Sequence, residues 1–107
     1  MIFTIKQDNT SPYIAATLKD ANSNAVDLTG ATVVFNMADL NGTNVVNGGA
    51  CTITDEEGGG VSYAWQSTDT QNAGSFQAEF KVTYTGGDVE SFPNNDYIIV
   101  NIVSDLV

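Results

Sequence analysis

Histidine is absent from this chain, and basic residues of any kind are scarce. Its 107 residues hold 3 Lys+Arg against 13 Asp+Glu, a formal net charge of -10. Without histidine the usual general base near neutral pH is missing. Ser/His/Asp and Cys/His nucleophilic arrangements are excluded outright. So acidic a surface repels phosphate backbones, which argues against nucleic acid as a partner. Anionic membrane surfaces are disfavoured for the same reason, whereas a basic protein surface would suit it. Cys51 stands alone, so no internal disulfide can form, and one thiol is too few for a Cys-rich zinc site. No run approaches the ~18 apolar residues that a membrane-spanning helix needs, so no membrane insertion is expected. The opening MIFTIKQDN has neither a basic n-region nor an apolar h-region, which predicts cytosolic synthesis without a standard export signal.

What is present reads as sheet. Hydrophobic residues make up 42% of the chain, enough for one core, and the length predicts a single domain over residues 1–107. Thr and Val supply strand formers, and short clusters of Gly, Asn and Asp supply turns. Strands are predicted at Ile2 to Lys6 and Tyr13 to Leu18, with Pro12 at a strand start or an edge. Thr32 to Met37 alternates, placing Val33, Phe35 and Met37 on one face. Asn41-Gly42 is the strongest hairpin signal, with Val45-Val46 as a short return. Gly48-Gly49 reads as a turn, and Ala50 to Thr54 as a further strand carrying Cys51 as a small core residue. Asp55 to Gly60 is an acidic turn, after which Val61, Tyr63 and Trp65 alternate. Gln66 to Ala73 has room for one helical turn. The clearest strand is Ser75 to Thr85, with Phe76, Ala78, Phe80, Val82 and Tyr84 on one face and Glu79 and Lys81 on the other. Val89 to Phe92 and Tyr97 to Val103 complete the set, and Ser104 to Val107 either fray or continue into an interface. About seven to nine short strands at turn-rich spacing predict an all-β sandwich or barrel, antiparallel with one wet face per sheet.

Chemistry-bearing patterns are few. The glycine clusters lack the GxxxxGK[ST] spacing and lead into no helix. Asp55, Glu56 and Glu57 share one turn but not the spacing of an EF-hand loop, so they read as solvated acids. No catalytic, metal or cofactor residue is expected, and the chain reads as a non-enzyme. Phe35, Phe76 and Phe80 are assigned to the core. Trp65 has two readings, core or interface. Tyr13 and Tyr97 stand near strand starts and are candidate partner contacts. Ile2 and Phe3 join them, because an N-terminal strand can pair with a partner by its edge.

Several segments together resemble a known family. Asp27-Leu28-Thr29-Gly30-Ala31-Thr32-Val33 leads into Val34-Phe35-Asn36-Met37. Gly60-Val61-Ser62-Tyr63-Ala64-Trp65 is followed by Asp69-Thr70 and Ala73-Gly74-Ser75-Phe76-Gln77-Ala78-Glu79-Phe80, then by Phe92-Pro93 and the strand Ile98 to Ile102. The ordered set, over about residues 8 to 103, resembles the N-terminal immunoglobulin-like domain of siphophage upper baseplate proteins. The resemblance implies an immunoglobulin-like antiparallel β-sandwich without the antibody disulfide. Leu28 would anchor a strand start, Gly30 would permit the turn, and Asp69 and Thr70 would bond local backbone. In that family the domain heads a longer chain, whereas this sequence stops at Val107.

The resulting expectation is a non-catalytic structural component of a tailed-phage virion, in the tail or baseplate or as head decoration, assembled in the host cytoplasm. It would act through contacts with other phage virion proteins, and through self-association where symmetry brings copies together. The alternative is a module binding carbohydrate or the host surface, which requires at least two aromatic rings exposed on one face.

Overall fold

The computed structural model describes residues 1–106. Nine strands follow in order: β1 (Ile2–Lys6), β2 (Ile14–Thr17), β3 (Thr32–Asp39), β4 (Asn44–Ala50), β5 (Thr52–Asp55), β6 (Gly60–Tyr63), β7 (Gly74–Thr83), β8 (Val89–Phe92) and β9 (Ile98–Val103), with a 3₁₀ turn at Ser67–Thr70. They form two sheets, ordered β1-β9-β7-β3-β4 and β2-β6-β5, with β8 also paired to β7. This is an immunoglobulin-like sandwich.

The period of two explains the layering. Phe76, Ala78, Phe80 and Val82 of β7 are buried, as are Val33, Phe35 and Met37 of β3. The two strands pair antiparallel with Phe35 opposite Phe80 and Val33 opposite Val82, so both sets enter one core. The other edge of β7 is shared: β9 covers Gly74 to Ala78, and β8 covers Phe80 to Thr83.

Phe35 ties the sheets together. Its ring stacks on Tyr63 of the smaller sheet at 4.8 Å, meets Trp65 edge-on at 5.5 Å and lies 5.3 Å from Phe80. Such pairs contribute about 0.5–1.5 kcal/mol each beyond area burial. Trp65 is 3% exposed, which decides for its core reading over its interface reading. Its Nε1 is buried and has no partner among the described residues.

The structure departs from the sequence reading in four places. β1 and β9 pair in parallel, Ile2 beside Ile99 and Ile5 beside Ile102, whereas the other strand pairs are antiparallel; no hairpin joins these two strands, so nothing local forces them to run in opposite directions. Gly48-Gly49 is no turn: both residues lie inside β4, where the register with β3 shifts. Gly48 N–H donates to Asn36 Oδ1 at 2.7 Å, and a Cβ on Gly49 would lie 2.5 Å from Tyr63 Cε1. Glycine is thus present for close approach between the sheets. Cys51 falls between β4 and β5, where the chain crosses from one sheet to the other, and is only half-buried. Thr70 bonds no local backbone: its hydroxyl donates to Asn9 O at 2.9 Å, fastening the 3₁₀ turn to the β1–β2 connection.

Candidate interaction surface

The four candidate contact residues do not converge. Ile2 is 70% exposed on β1, opposite Ile99. Tyr97 is 48% exposed immediately before β9, so Ile2 and Tyr97 lie at the same end of the β1–β9 pair. Phe3 alternates to the other face, where it is half-buried 5.8 Å from the Trp65 ring. Tyr13, 59% exposed, precedes β2 in the smaller sheet. At the C-terminal end, Asp105 N–H donates to Gln7 Oε1 at 3.2 Å and Leu106 is exposed, while Val107 lies outside the described residues.

A feature that no single segment announces lies beside β2. This strand pairs with β6 on one side, and among the described residues no strand covers its other side. Leu18 N–H donates to Gly59 O at 2.8 Å. Ladder bonds alternate along an antiparallel strand, so Ile14 and Ala16 likewise address β6. The N–H and C=O groups of Ala15 and Thr17 therefore point outward from the sheet. Both residues are exposed. Next to this open edge runs a mainly apolar groove of about 240 Å³, lined by Ala16, Leu18, Phe92, Pro93, Ile98 and Met1. It opens where the edges of the two sheets part. Its residues, Phe80 among them, come from five separated stretches of chain, which is why alternation within any one of them does not reveal it.

At Leu18 and Lys19 the groove adjoins two connections rich in acidic residues. The two interlock: Leu18 N–H bonds Gly59 O, and Leu28 N–H bonds Glu56 O at 2.7 Å. They carry Asp20, Asp27, Asp55, Glu56 and Glu57, all exposed. Three of these acids stabilise their own turns. Asp20 Oδ1 accepts from Asn22 and Asn24 N–H, Asp27 Oδ1 from the N–H and hydroxyl of Thr29, and Asp55 Oδ1 from Gly58 N–H. The two bonds from Thr29 hold the Asp27 carboxyl below its ordinary pKa. These are turn acids of the kind that favours Asp locally. Among the described residues no group of three or more His, Cys, Asp or Glu is arranged to hold a metal ion.

Inside, the polar groups serve packing. Asp69 is buried and accepts from Tyr63 Oη at 2.6 Å and from Gln66 N–H at 2.8 Å. Burial, and next the bond to Asp69, push the Tyr63 phenol well above its ordinary pKa. Burial alone pushes the Cys51 thiol up to about 12, leaving it a poor nucleophile. Glu79 faces outward from β7 and accepts from Asn36 Nδ2 at 3.3 Å. Glu90, in contrast, shares the core-facing side of β8 and accepts from Tyr84 Oη at 2.7 Å. No helix of the described residues is long and apolar enough to cross a membrane.

A family model described as the BppU N-terminal domain matches residues 2–104. The chain belongs to this family. As a BppU N-terminal domain it is a structural component of a phage virion that works through protein–protein contacts and is not an enzyme. Comparison with curated proteins gave no match. Among solved structures, CopC from Methylosinus trichosporium OB3b is similar in fold, with a TM-score of 0.54 and 10% identity over 98% of this chain and 86% of that one. At that identity the likeness concerns the sandwich alone.

Proposed function

We propose that this chain, a single domain over residues 1–107, joins the tail or baseplate of its particle by docking onto a basic surface of another virion protein. The family match over residues 2–104 carries the reading. The formal net charge of -10 supports a partner of opposite sign. Copies are brought together by the symmetry of the particle, where many small contacts add up, while like charge opposes their pairing in solution. The carbohydrate alternative needs neighbouring exposed rings. Tyr13 and Tyr97 are exposed but stand before strands of different sheets, which favours the protein partner.

The test is to purify native particles, identify their proteins by mass spectrometry and locate this chain by labelled antibody in electron micrographs. Label at the tail tip supports the proposal. Label on the head shell, or absence of the chain from the particle, overturns it.

A further inference from the structure

We propose that the open edge of β2, with the groove beside it, receives an extended strand of another virion protein. This strand runs antiparallel to β2, places apolar side chains in the groove at alternate positions, and carries lysine or arginine at its N-terminal end. The inference rests on the virion-assembly reading above and names the surface that makes the contact.

Three observations converge. The N–H and C=O groups of Ala15 and Thr17 point outward from an edge strand that no other strand covers among the described residues, and such an edge is a ready template for strand addition. The groove next to it is lined by Ala16, Leu18, Phe92, Pro93 and Ile98. An added strand would send every second side chain into that groove, because successive residues alternate between faces. The third observation is charge. β2 runs toward the interlocked connections that bear Asp20, Asp27, Asp55, Glu56 and Glu57. The N-terminal end of an antiparallel guest would lie beside them. Lys19 and the amino terminus at Met1 are the cations on the groove rim, and these five carboxylates outnumber them. A second copy of this chain is the poorer guest, since a net charge of -10 on each partner opposes the pairing.

Thr17→Pro isolates the claim. It deletes an outward N–H and leaves the bonds to β6, the one position type at which an edge strand accepts proline. Ala16→Asp is a second variant that puts a charge into the groove without altering the ladder. The probe is a synthetic nine-residue peptide with valine at alternate positions and two lysines at its N-terminal end. On the folded wild-type protein it should slow amide exchange at Ala15 and Thr17 by about tenfold or more. The same peptide with glutamates for lysines should bind about tenfold more weakly. Either variant that keeps the wild-type melting profile should lose the protection, read at Ala15 alone in Thr17→Pro, and be missing from assembled particles that contain the wild-type chain. Protection elsewhere, equal binding of the acidic peptide, or normal incorporation of a folded variant would overturn the proposal. So would a dimer in light scattering with the β2 amides protected. Absence of the wild-type chain from particles would instead remove the reading on which it rests.

Discussion

Tyr63 and Asp69 are joined by a 2.6 Å hydrogen bond from the phenol to Oδ2, across the turn that carries the chain from the smaller sheet to the larger. Gln66 N–H donates to the same oxygen at 2.8 Å, so one buried carboxylate holds both the sheet and the turn. Tyr63→Phe should cost about 1.5–3 kcal/mol, the usual value of a hydrogen bond to a charged group. Asp69→Ala should cost at least as much, because it strands two donors. Urea unfolding checks both, with a lower midpoint and an unchanged slope expected.

Stability should also fall at alkaline pH. Burial first, then the bond to Glu90, pushes the Tyr84 phenol up to about 12, and Tyr63 is raised in the same direction by burial and Asp69. The folded state therefore holds these protons more tightly than the unfolded chain, whose tyrosines titrate near 10. The stabilisation is fully present below about pH 10 and is lost as pH climbs from there through the folded-state values. Melting temperature should stay level from about pH 7 to about 10 and drop above it. Tyr63→Phe should soften that drop.

Cys51 should be slow to alkylate. Its thiol, half-buried at the crossing between sheets, is pushed up to about 12 by burial. Because the thiolate is the reactive form, iodoacetamide at pH 8 should modify it at least about a hundredfold more slowly than an unfolded-chain cysteine. Addition of denaturant should restore the ordinary rate. Rapid labelling of the folded protein would contradict this account of the site.

Gly49 and Gly42 should respond differently to alanine. At Gly49 the new methyl would strike Tyr63, whereas at Gly42 nothing lies within 4 Å and only a φ of +86° opposes the change. Gly49→Ala should cost about 1–3 kcal/mol by overpacking, and it should disturb the near-ultraviolet dichroism of the Tyr63–Phe35 stack. Gly42→Ala should cost about 1 kcal/mol in backbone strain and leave the aromatic signal unchanged.

These contrasts mark which parts of the molecule were legible in the amino acids. β3 and β7 were, because Phe35, Phe76 and Phe80 alternate with polar residues over enough length to fix both faces. The acidic turn at Asp55–Glu57 and the hairpin at Asn41-Gly42 were legible from turn chemistry. β4 was not: Asn47, Gly48 and Gly49 show no apolar alternation, and the demand for a small residue at 49 comes from Tyr63, which is distant in sequence. Ile2, Phe3, Tyr13 and Tyr97 were singled out only as candidate contacts, and the inward turn of Phe3 toward Trp65 depends on the parallel register with β9, which no local pattern encodes. The groove beside β2 was hidden for a similar reason, since Ala16, Pro93 and Ile98 meet only once the sheets are stacked.

The parallel seam between β1 and β9 sets how the domain answers force. Five registered pairs, Ile2–Ile99 to Lys6–Val103, lie side by side in the same direction. A pull that drags Met1 and Val103 apart loads all of them together in shear, whereas a hairpin pulled at its open end unzips one rung at a time. Under tension the two terminal strands act as a clasp, and the rest of the sandwich stays unloaded until that clasp gives way.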